Sequence, residues 1–308
     1  MTGAGRPGAA DGTPEAADGT PWRVFAAEAQ AQFEAAGVPS PEVSVRRIIE
    51  RAAGFEGAEY ALGLGEPATE RAMGFFDRMV ERRLAGEPLQ YVVGEWSFRT
   101  LDLMVDRRAL IPRPETEQVV EVALAELDAL APAAPRVVDL GTGTGAIALA
   151  VAVERPAARV WAVEASTAAL AVARANLTGI GQAGTRVTLV EGSWFDPLPR
   201  ELQGSFDLVV SNPPYVAESD PLPAEVADWE PRQALIPGPT GLEAIEEIVA
   251  AAPVWLCRPG ALVIELAPSQ GDVAVELARA AGFDDAEVAD DLAGRPRALV
   301  ARIEDGRS

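Results

Sequence analysis

Apolar and polar positions follow one pattern in the first third of the chain and another in the remainder. Over residues 22–86, apolar residues recur at helical spacing between breaks rich in Gly and Pro, which predicts three or four short helices. One of these helices, over residues 69–84, has Thr69 as a candidate N-cap. Its apolar face is formed by Met73, Phe76, Val80 and Leu84. Together these helices make up a predicted helical domain, residues 21–87.

A segment rich in aromatic and β-branched residues follows the helical region. Over residues 89–105, apolar residues partly alternate with polar ones around the pair Arg99-Thr100. This pattern is typical of two short strands joined by a turn. We therefore expect a β-hairpin linker between two domains, at residues 88–108.

From Thr116 onward, helical and extended stretches alternate regularly. The predicted helices are residues 116–130, 146–154, 167–177, 241–252 and 272–281. The predicted strands are residues 136–140, 160–163, 187–191, 206–211, 261–266 and 298–303. Such alternation predicts an α/β fold, with a mostly parallel sheet covered by helices on both faces. In sheets of this kind, ligands bind at the carboxyl ends of the strands.

Composition narrows the chemistry that the chain can support. Its 308 residues carry 26 basic and 47 acidic side chains, a formal charge of −21, with no His and no Lys. A shortage of cations disfavours tight nonspecific binding to nucleic acid, which depends on neutralising phosphates. The absence of His removes imidazole relays and most zinc or iron sites, and the absence of Lys removes Schiff-base chemistry. We therefore expect a site without a metal ion.

The first residues and the single cysteine bear on location. Residues 1–20 lack the basic start and apolar stretch of a secretory signal, and their composition predicts a disordered tail. Apolar runs elsewhere, such as residues 146–153, are shorter than the ~20 residues that a membrane span needs. Cys257 alone permits no internal disulfide and fits a reducing compartment. We expect a soluble, cytoplasmic protein.

A glycine-rich segment connects the first strand of the α/β region to its helix. It reads Asp139-Leu140-Gly141-Thr142-Gly143-Thr144-Gly145. Both a dinucleotide and S-adenosylmethionine suit such a loop, with Glu164 at the end of the next strand accepting hydrogen bonds from ribose hydroxyls. Asp139 favours S-adenosylmethionine, because its carboxylate would repel a pyrophosphate but attract the ammonium of the methionine moiety.

A second motif, Asn212-Pro213-Pro214-Tyr215, follows the strand predicted over residues 206–211. Two prolines cannot continue a strand, so we expect a rigid turn at the same sheet edge as the glycine loop. Methylation of a planar nitrogen requires its N–H bonds to be held and its lone pair to face the methyl carbon. Asn212 Oδ1 and the carbonyl of Pro213 can each accept one N–H, with Tyr215 packed over the planar group. No strong base is needed, which suits a chain without His and Lys.

These two motifs resemble those of the HemK/PrmC family, the peptide chain release factor N(5)-glutamine methyltransferases. Two further segments favour this family, namely Ile111-Pro112-Arg113-Pro114-Glu115-Thr116-Glu117 and Trp229-Glu230-Pro231-Arg232-Gln233-Ala234-Leu235. The similarity runs from about residue 89 to residue 303, and a preceding helical domain is also the family's layout. The resemblance implies a Rossmann-like class I S-adenosylmethionine-dependent methyltransferase fold over residues 109–308, with a seven-stranded, mostly parallel sheet.

The resemblance also implies roles for individual residues. It assigns residues 141–145 to the methionine and ribose of the cofactor and places Trp194 beside the adenine. Residues 212–215 would hold the acceptor glutamine, while Arg113 and Glu115 would help to close the pocket. The implied reaction moves a methyl group from S-adenosylmethionine to the glutamine of the Gly-Gly-Gln motif in a class I release factor. The helical domain would dock that protein.

Two positions depart from the family pattern. Ser193 stands where relatives often have an Asp that binds the adenine amino group, and a neutral hydroxyl is a weaker acceptor. Ala267-Pro268 replaces the glycine that usually follows the sixth strand, so we expect a reshaped sheet end there.

Other functions remain open at this point. Asn-Pro-Pro-Tyr is shared with a glutamine methyltransferase acting on a ribosomal protein and with adenine-N6 nucleic-acid methyltransferases, although the acidic charge disfavours the latter. An NAD-dependent oxidoreductase would use the same glycine loop. A noncatalytic binding protein with a decayed pocket is a fourth alternative.

Overall fold

The computed structural model describes residues 19–305, so nearly all of the tail expected at residues 1–20 lies outside the described part of the chain. The chain divides into two compact units between Val93 and Gly94. Within the described residues, no helix combines the length and the hydrophobicity needed to cross a membrane.

The first unit is helical. Its helices are α1 (Trp22–Ala35), α2 (Pro41–Ala53), α3 (Glu59–Gly63), α4 (Glu70–Leu84) and α5 (Leu89–Val93). Thr69 caps α4 as predicted, because its hydroxyl accepts the N–H of Ala72 at 3.3 Å. Phe76 and Val80 are buried as predicted, but Leu84 is 38% exposed. Arg83 takes the buried position at that end of the helix, where its guanidinium donates to the carbonyl of Glu87 at 2.8 Å.

Residues 89–93 form the helical turn α5, so the strand predicted there was wrong. The carbonyl of Pro88 accepts the N–H of Val92 at 3.0 Å, which closes the turn. Arg82 then donates to the carbonyls of Tyr91 at 2.8 Å and Val92 at 3.1 Å. Because Arg82 satisfies these end carbonyls and Tyr91 is buried, tertiary contacts override the β propensity of Tyr and Val.

The second unit begins with a hairpin shorter than expected, β1 (Glu95–Phe98) and β2 (Leu101–Met104), paired antiparallel. The helices that follow are α6 (Pro114–Leu130), α7 (Ala146–Glu154), α8 (Thr167–Gly179), α9 (Ala224–Trp229), α10 (Glu243–Trp255) and α11 (Gly271–Ala280). The remaining strands are β3 (Arg136–Leu140), β4 (Arg159–Glu164), β5 (Val187–Glu191), β6 (Phe206–Ser211), β7 (Leu256–Glu265), β8 (Asp285–Asp290) and β9 (Pro296–Ile303).

These last seven strands form one sheet in the order β5-β4-β3-β6-β7-β9-β8. The first five in that order are parallel, and β9 pairs antiparallel with both β7 and β8. The predicted α/β fold with a mostly parallel seven-stranded sheet is therefore confirmed. The residue pattern did not predict β8, because its alternation is short and it consists mainly of Asp, Glu and Ala, residue types that are uncommon in strands.

The core lies on both faces of this sheet. Val137 belongs to the apolar cluster that contains α6 and α7, and the next residue, Val138, belongs to the cluster that contains α10 and α11. Successive side chains of a strand point to opposite faces, so each central strand contributes to both clusters. This packing on both faces holds the carboxyl ends of the central strands in place.

The two central strands bring the two sequence motifs together. Leu140 of β3 lies in register with Ser211 of β6, and the Ser211 hydroxyl donates to the Leu140 carbonyl at 2.7 Å. The glycine loop starts immediately after Leu140 and the Asn-Pro-Pro-Tyr turn immediately after Ser211. Both motifs therefore leave the same carboxyl edge of the sheet side by side.

Candidate active site

A cavity of about 270 Å³ lies at this carboxyl edge. The predicted site residues in its wall are Gly141, Gly143, Glu164, Trp194, Asn212 and Pro214. Residues that the sequence did not single out for this role also line it, among them Arg108, Ala109, Leu110, Pro231, Gln233 and Ala234. The glycine loop and the Asn-Pro-Pro-Tyr turn thus share one cavity.

The glycine loop folds tightly on itself. Gly141, Gly143 and Gly145 have φ angles of +71°, +57° and +88°, a region that strains any residue with a side chain. The N–H groups of Gly141 and Thr142 both donate to the carbonyl of Val163 at 2.9 Å, and that of Gly145 donates to the carbonyl of Thr142 at 2.8 Å. Several donors that a phosphate-binding loop would present to its ligand are therefore used within the protein.

Two carboxylates bind this loop. Glu164 accepts the N–H of Gly143 through Oε2 and that of Ser166 through Oε1, both at 2.8 Å. Asp139, which is fully buried, accepts the Thr142 hydroxyl at 2.5 Å through Oδ2. Glu164 suits the ribose of either cofactor, whereas an ionised Asp139 beside the loop would repel a pyrophosphate and so disfavours a dinucleotide.

One carboxylate oxygen of Asp139 has no hydrogen-bond donor among the described residues. Oδ2 also accepts the N–H of Ala148 at 3.1 Å, whereas within the described part of the chain no group donates to Oδ1. Burial raises the pKa of Asp139 to about 7, against the opposing effect of the hydrogen bond from Thr142. A buried acceptor without a donor fits a cationic ligand group, and S-adenosylmethionine carries an ammonium in its methionine moiety.

Trp194 covers one side of the glycine loop. A Cβ placed on Gly141 would lie 3.4 Å from Cζ3 of the Trp194 ring, so these two residues are in close contact. The indole N–H donates to Glu247 at 2.9 Å, which fixes the orientation of the ring. Ser193, one of the two departures from the family pattern, is an exposed residue of the cavity wall.

The Asn-Pro-Pro-Tyr turn presents two of its four residues to the cavity, Asn212 and Pro214. Pro213, between them in the chain, is buried. Asn212 donates through Nδ2 to the hydroxyl of Thr116 at 3.0 Å. Tyr215 lies outside the cavity wall, and its hydroxyl donates to Glu265 at 3.2 Å. Packing of Tyr215 over an acceptor group remains a prediction.

Glu265, at the end of β7, is a buried carboxylate next to this turn. Its Oε2 accepts the Thr116 hydroxyl at 2.7 Å, and its Oε1 accepts that of Tyr215. Burial raises the pKa of Glu265, whereas the bond from Thr116 and the charge of Arg297 lower it. Burial and the charge of Glu265 both raise the pKa of Tyr215, which keeps its hydroxyl protonated.

Arg113 pairs with Glu230, a residue of the second segment that favoured the family. The Glu230 side chain is 1% exposed and also accepts the N–H of Ile111 at 3.2 Å. Arg113 and Glu115 lie outside the cavity wall, which includes Leu110, next to the first segment, and Pro231, Gln233 and Ala234 of the second. The two segments are thus held together beside the cavity, and Arg113 acts on its wall indirectly.

The segment at Ala267-Pro268 differs from the family pattern without strain. Ala267 has a φ of −71° and a ψ of 146°, an extended conformation open to any residue. Its N–H donates to the side chain of Gln270 at 2.9 Å, and the Gln270 amide donates to the carbonyl of Tyr215 at 2.9 Å. Gln270 therefore anchors the end of the Asn-Pro-Pro-Tyr turn, a role that no local sequence signal indicates.

Comparison with known proteins agrees with this architecture. The model of the PrmC N-terminal domain matches residues 26–94, and that of the Methyltransferase small domain matches residues 119–226. Among solved structures, the hMettl16 catalytic domain, in complex with a 3′UTR hairpin, has a TM-score of 0.52 at 14% identity. That alignment covers 78% of this chain and 84% of the other, and it supports the fold alone.

Relatives at higher identity identify the family. The release factor glutamine methyltransferase of Cereibacter sphaeroides is 40% identical over 271 residues, 87% of this chain and 94% of the relative. Proteins of the same name from Deinococcus radiodurans and Mycolicibacterium smegmatis are also 40% identical, each over 89% of this chain, covering 96% and 94% of the respective relatives. The chain therefore belongs to the family of release factor glutamine methyltransferases.

Proposed function

We propose that this protein transfers a methyl group from S-adenosylmethionine to the side-chain amide nitrogen of the glutamine in the Gly-Gly-Gln motif of class I release factors. The observation that carries the proposal is the position of Asn212. Its Nδ2 is bound to Thr116, so its Oδ1 remains to accept an N–H from a planar nitrogen in the cavity. A substrate that acts in translation termination places the enzyme in the cytoplasm.

The residues around the glycine loop fit the cofactor. S-adenosylmethionine supplies an electrophilic methyl group on a positively charged sulfur when it is bound. Asp139 would hold its ammonium, Glu164 its ribose hydroxyls and Trp194 the side of its adenine. The glycines of residues 141–145 leave room for the backbone to approach the ligand closely.

The acceptor is held rather than deprotonated. Asn212 Oδ1 and the carbonyl of Pro213 accept the two N–H bonds of the glutamine amide, which turns the nitrogen lone pair toward the methyl carbon. Tyr215 packs over the planar amide. The nitrogen releases a proton to solvent once it carries the methyl group and a positive charge, so a strong base is unnecessary. Positive charge on sulfur disappears in the reaction, and a pocket that excludes water favours that change.

The helical unit docks the release factor. Its groove of about 740 Å³ includes Arg71, Arg78 and the 46%-exposed ring of Phe75. The two guanidinium groups lie 6.0 Å and 4.9 Å from the ring centroid, within the range of cation–π contact. An arginine and aromatic surface on a chain of net charge −21 suits an acidic surface of a protein partner.

Mass spectrometry of an unmethylated class I release factor, incubated with the protein and S-adenosylmethionine, tests this function. We expect one added methyl group on the glutamine of the Gly-Gly-Gln motif, and none with the Asn212→Ala variant. Calorimetric titration with S-adenosylmethionine shows whether the variant still binds the cofactor. The same titration in the presence of NAD shows whether a dinucleotide competes for the site. Methylation of a ribosomal protein or of an adenine oligonucleotide in preference to the release factor would overturn the proposal.

A further inference from the structure

Three hydrogen bonds among four side chains connect the two ends of the Asn-Pro-Pro-Tyr turn, and the central one is buried. Asn212 donates to Thr116 at 3.0 Å, Thr116 donates to Glu265 at 2.7 Å, and Tyr215 donates to the other oxygen of Glu265 at 3.2 Å. Thr116 comes from the first turn of α6 and Glu265 from the end of β7, and both are at most 3% exposed. The central hydrogen bond, between Thr116 and Glu265, therefore lies where water does not compete with it.

The charge of Arg297 and the hydrogen bonds from Thr116 and Tyr215 favour the ionised form of Glu265, against the effect of burial. In that form the carboxylate only accepts, so the hydroxyls of Thr116 and Tyr215 each donate one hydrogen bond to Glu265. A hydroxyl has a single proton, and that of Thr116 is already used. Toward Asn212, the oxygen of Thr116 can only accept. The group of Asn212 that faces Thr116 must then be its NH₂, and the carbonyl Oδ1 must point the other way.

The direction of these hydrogen bonds determines how the Asn212 amide is oriented, because an asparagine amide is nearly symmetric in shape. A rotation of half a turn would exchange its donor and acceptor with little change in packing. Rotated in this way, Asn212 would present N–H groups to the N–H groups of an acceptor amide. It would also set its oxygen against the lone pairs of Thr116. Both contacts are repulsive, so the hydrogen-bond chain selects one of two amide orientations.

We propose that Thr116 and Glu265 are positioning residues that hold the Asn212 amide with Oδ1 toward the acceptor. The inference rests on the proposed function of the same site and adds a basis for specificity. Oδ1 attracts the NH₂ of a glutamine and repels the carboxylate of a glutamate, so the orientation of Asn212 selects an amide acceptor. Thr116 and Glu265 act through Asn212, without touching the reacting atoms themselves.

Two substitutions at Thr116 separate the hydroxyl from the shape of the side chain. Thr116→Val keeps the shape and removes the hydroxyl, whereas Thr116→Ser keeps the hydroxyl. We expect Thr116→Val to lower kcat about 100-fold, comparable with removing one preorganised hydrogen bond at a reacting group. The KM for the release factor and the Kd for S-adenosylmethionine should stay within about threefold of wild type, and Thr116→Ser should restore most of kcat.

The single valine change leaves Glu265 with one fewer donor, and an unsatisfied buried carboxylate can destabilise the protein. The double variant Thr116→Val, Glu265→Gln removes that charge, and Asn212 still lacks the Thr116 hydroxyl as its hydrogen-bond acceptor. It should lose activity to the same extent as Thr116→Val. Circular dichroism and thermal unfolding of both variants show whether they are folded.

A measurement without any acceptor distinguishes failure of this inference from failure of the proposed function. The side-chain NH₂ of Asn212 can be observed by ¹⁵N–¹H NMR and assigned by its loss in Asn212→Ala. Its protons should exchange slowly in wild type and Thr116→Ser, and at least about tenfold faster in Thr116→Val, because the hydrogen bond to the buried Thr116 hydroxyl has been lost. Unchanged exchange in Thr116→Val, or a kcat within threefold of wild type, would overturn the positioning role. If wild type fails to methylate release factors, the NMR result still decides whether Thr116 orients Asn212.

Discussion

Arg113 and Glu230, 117 residues apart in the chain, form an ion pair beside the cavity. The Glu230 side chain is 1% exposed and that of Arg113 is 32% exposed, so the carboxylate depends on this partner and on the N–H of Ile111. Leu110, which precedes Ile111, and Pro231, which follows Glu230, both line the cavity. The ion pair therefore stabilises the cavity wall although neither side chain lines the cavity.

Removing the cation should loosen that wall. Arg113→Met leaves Glu230 buried without its charged partner, and we expect a loss of about 2 kcal/mol in the free energy of unfolding together with a higher KM for the release factor. Urea denaturation and steady-state kinetics measure both effects. Arg232→Met is a matched control, because Arg232 pairs with Glu218 and both side chains are more than half exposed. Its effect on stability should be below about 0.5 kcal/mol. Equal stability of the two variants would contradict a stabilising role of the Arg113–Glu230 pair.

The sequence predicts the sheet well because its strands are buried apolar runs separated by amphipathic helices. Strands β3, β5 and β6 begin and end at the predicted residues. Prediction fails where tertiary contacts decide the outcome. Residues 89–93 have the composition of a strand, but the capping of their carbonyls by Arg82 holds them in a helical turn. Similarly, β8 is an edge strand composed mainly of Asp, Glu and Ala, which have low strand propensity.

For the site, parallel topology explains what could be predicted. Carboxyl ends of adjacent strands meet at one edge, so two motifs that each follow a strand are expected to share a cavity. The sequence contains no comparable signal for Thr116 and Glu265. They lie 149 residues apart, and their hydrogen bond depends on how α6 packs on the sheet. Contacts of this kind follow from tertiary packing rather than from any local pattern.

Cofactor affinity should depend on pH through Asp139. Its raised pKa of about 7 means that it is largely protonated below pH 7 when no ligand is bound, whereas an ammonium partner favours the ionised form. Binding should then release a proton, and affinity should rise with pH and level off above about 7. Below that pH, the expected loss approaches tenfold per unit.

Calorimetric titration with S-adenosylmethionine at pH 5.5, 6.5 and 7.5, in buffers of different ionisation enthalpy, measures both affinity and proton release. Asp139→Asn should bind more weakly at pH 7.5 and show no such pH dependence. Asp196→Asn, a change at an exposed aspartate, should behave like wild type. A pH dependence that persists in Asp139→Asn would assign it to another group.

Gly145 should be the glycine of the loop least tolerant of a side chain. Its φ is +88°, and an added Cβ would lie 3.1 Å from Cδ1 of Leu149, so Gly145→Ala meets both backbone strain and a close contact. Gly204 provides a control. Its φ is +67°, and no heavy atom of the surrounding described residues lies within 4 Å of a Cβ placed there. Gly204→Ala should cost about 1 kcal/mol from strain alone, and Gly145→Ala about 2 kcal/mol or more. Thermal unfolding of both variants measures the difference, and equal costs would show that Leu149 yields without penalty.

Restoring an acid at position 193 should tighten cofactor binding. Ser193 is an exposed, neutral residue of the cavity wall, and a carboxylate there can accept the adenine amino group in a stronger, charge-assisted hydrogen bond. We expect Ser193→Asp to lower the Kd for S-adenosylmethionine about fivefold, equivalent to about 1 kcal/mol. Ser193→Asn has nearly the same size without the charge and should change affinity less. If the two variants bind equally, charge at this position does not contribute to adenine recognition.

The arginine groove of the helical unit offers a test of docking that leaves the chemistry untouched. Arg78 is exposed and lies 4.9 Å from the ring of Phe75, so Arg78→Glu reverses a charge on the groove surface. Arg23→Glu makes the same charge change at another exposed position of the same unit. If the groove binds an acidic surface of the release factor, Arg78→Glu should raise KM about tenfold or more, with a salt dependence weaker than that of wild type. Arg23→Glu should have a small effect, and the Kd for S-adenosylmethionine should be unchanged in both. Equal KM values for the two variants would mean that net charge, rather than the groove, governs association with the substrate protein.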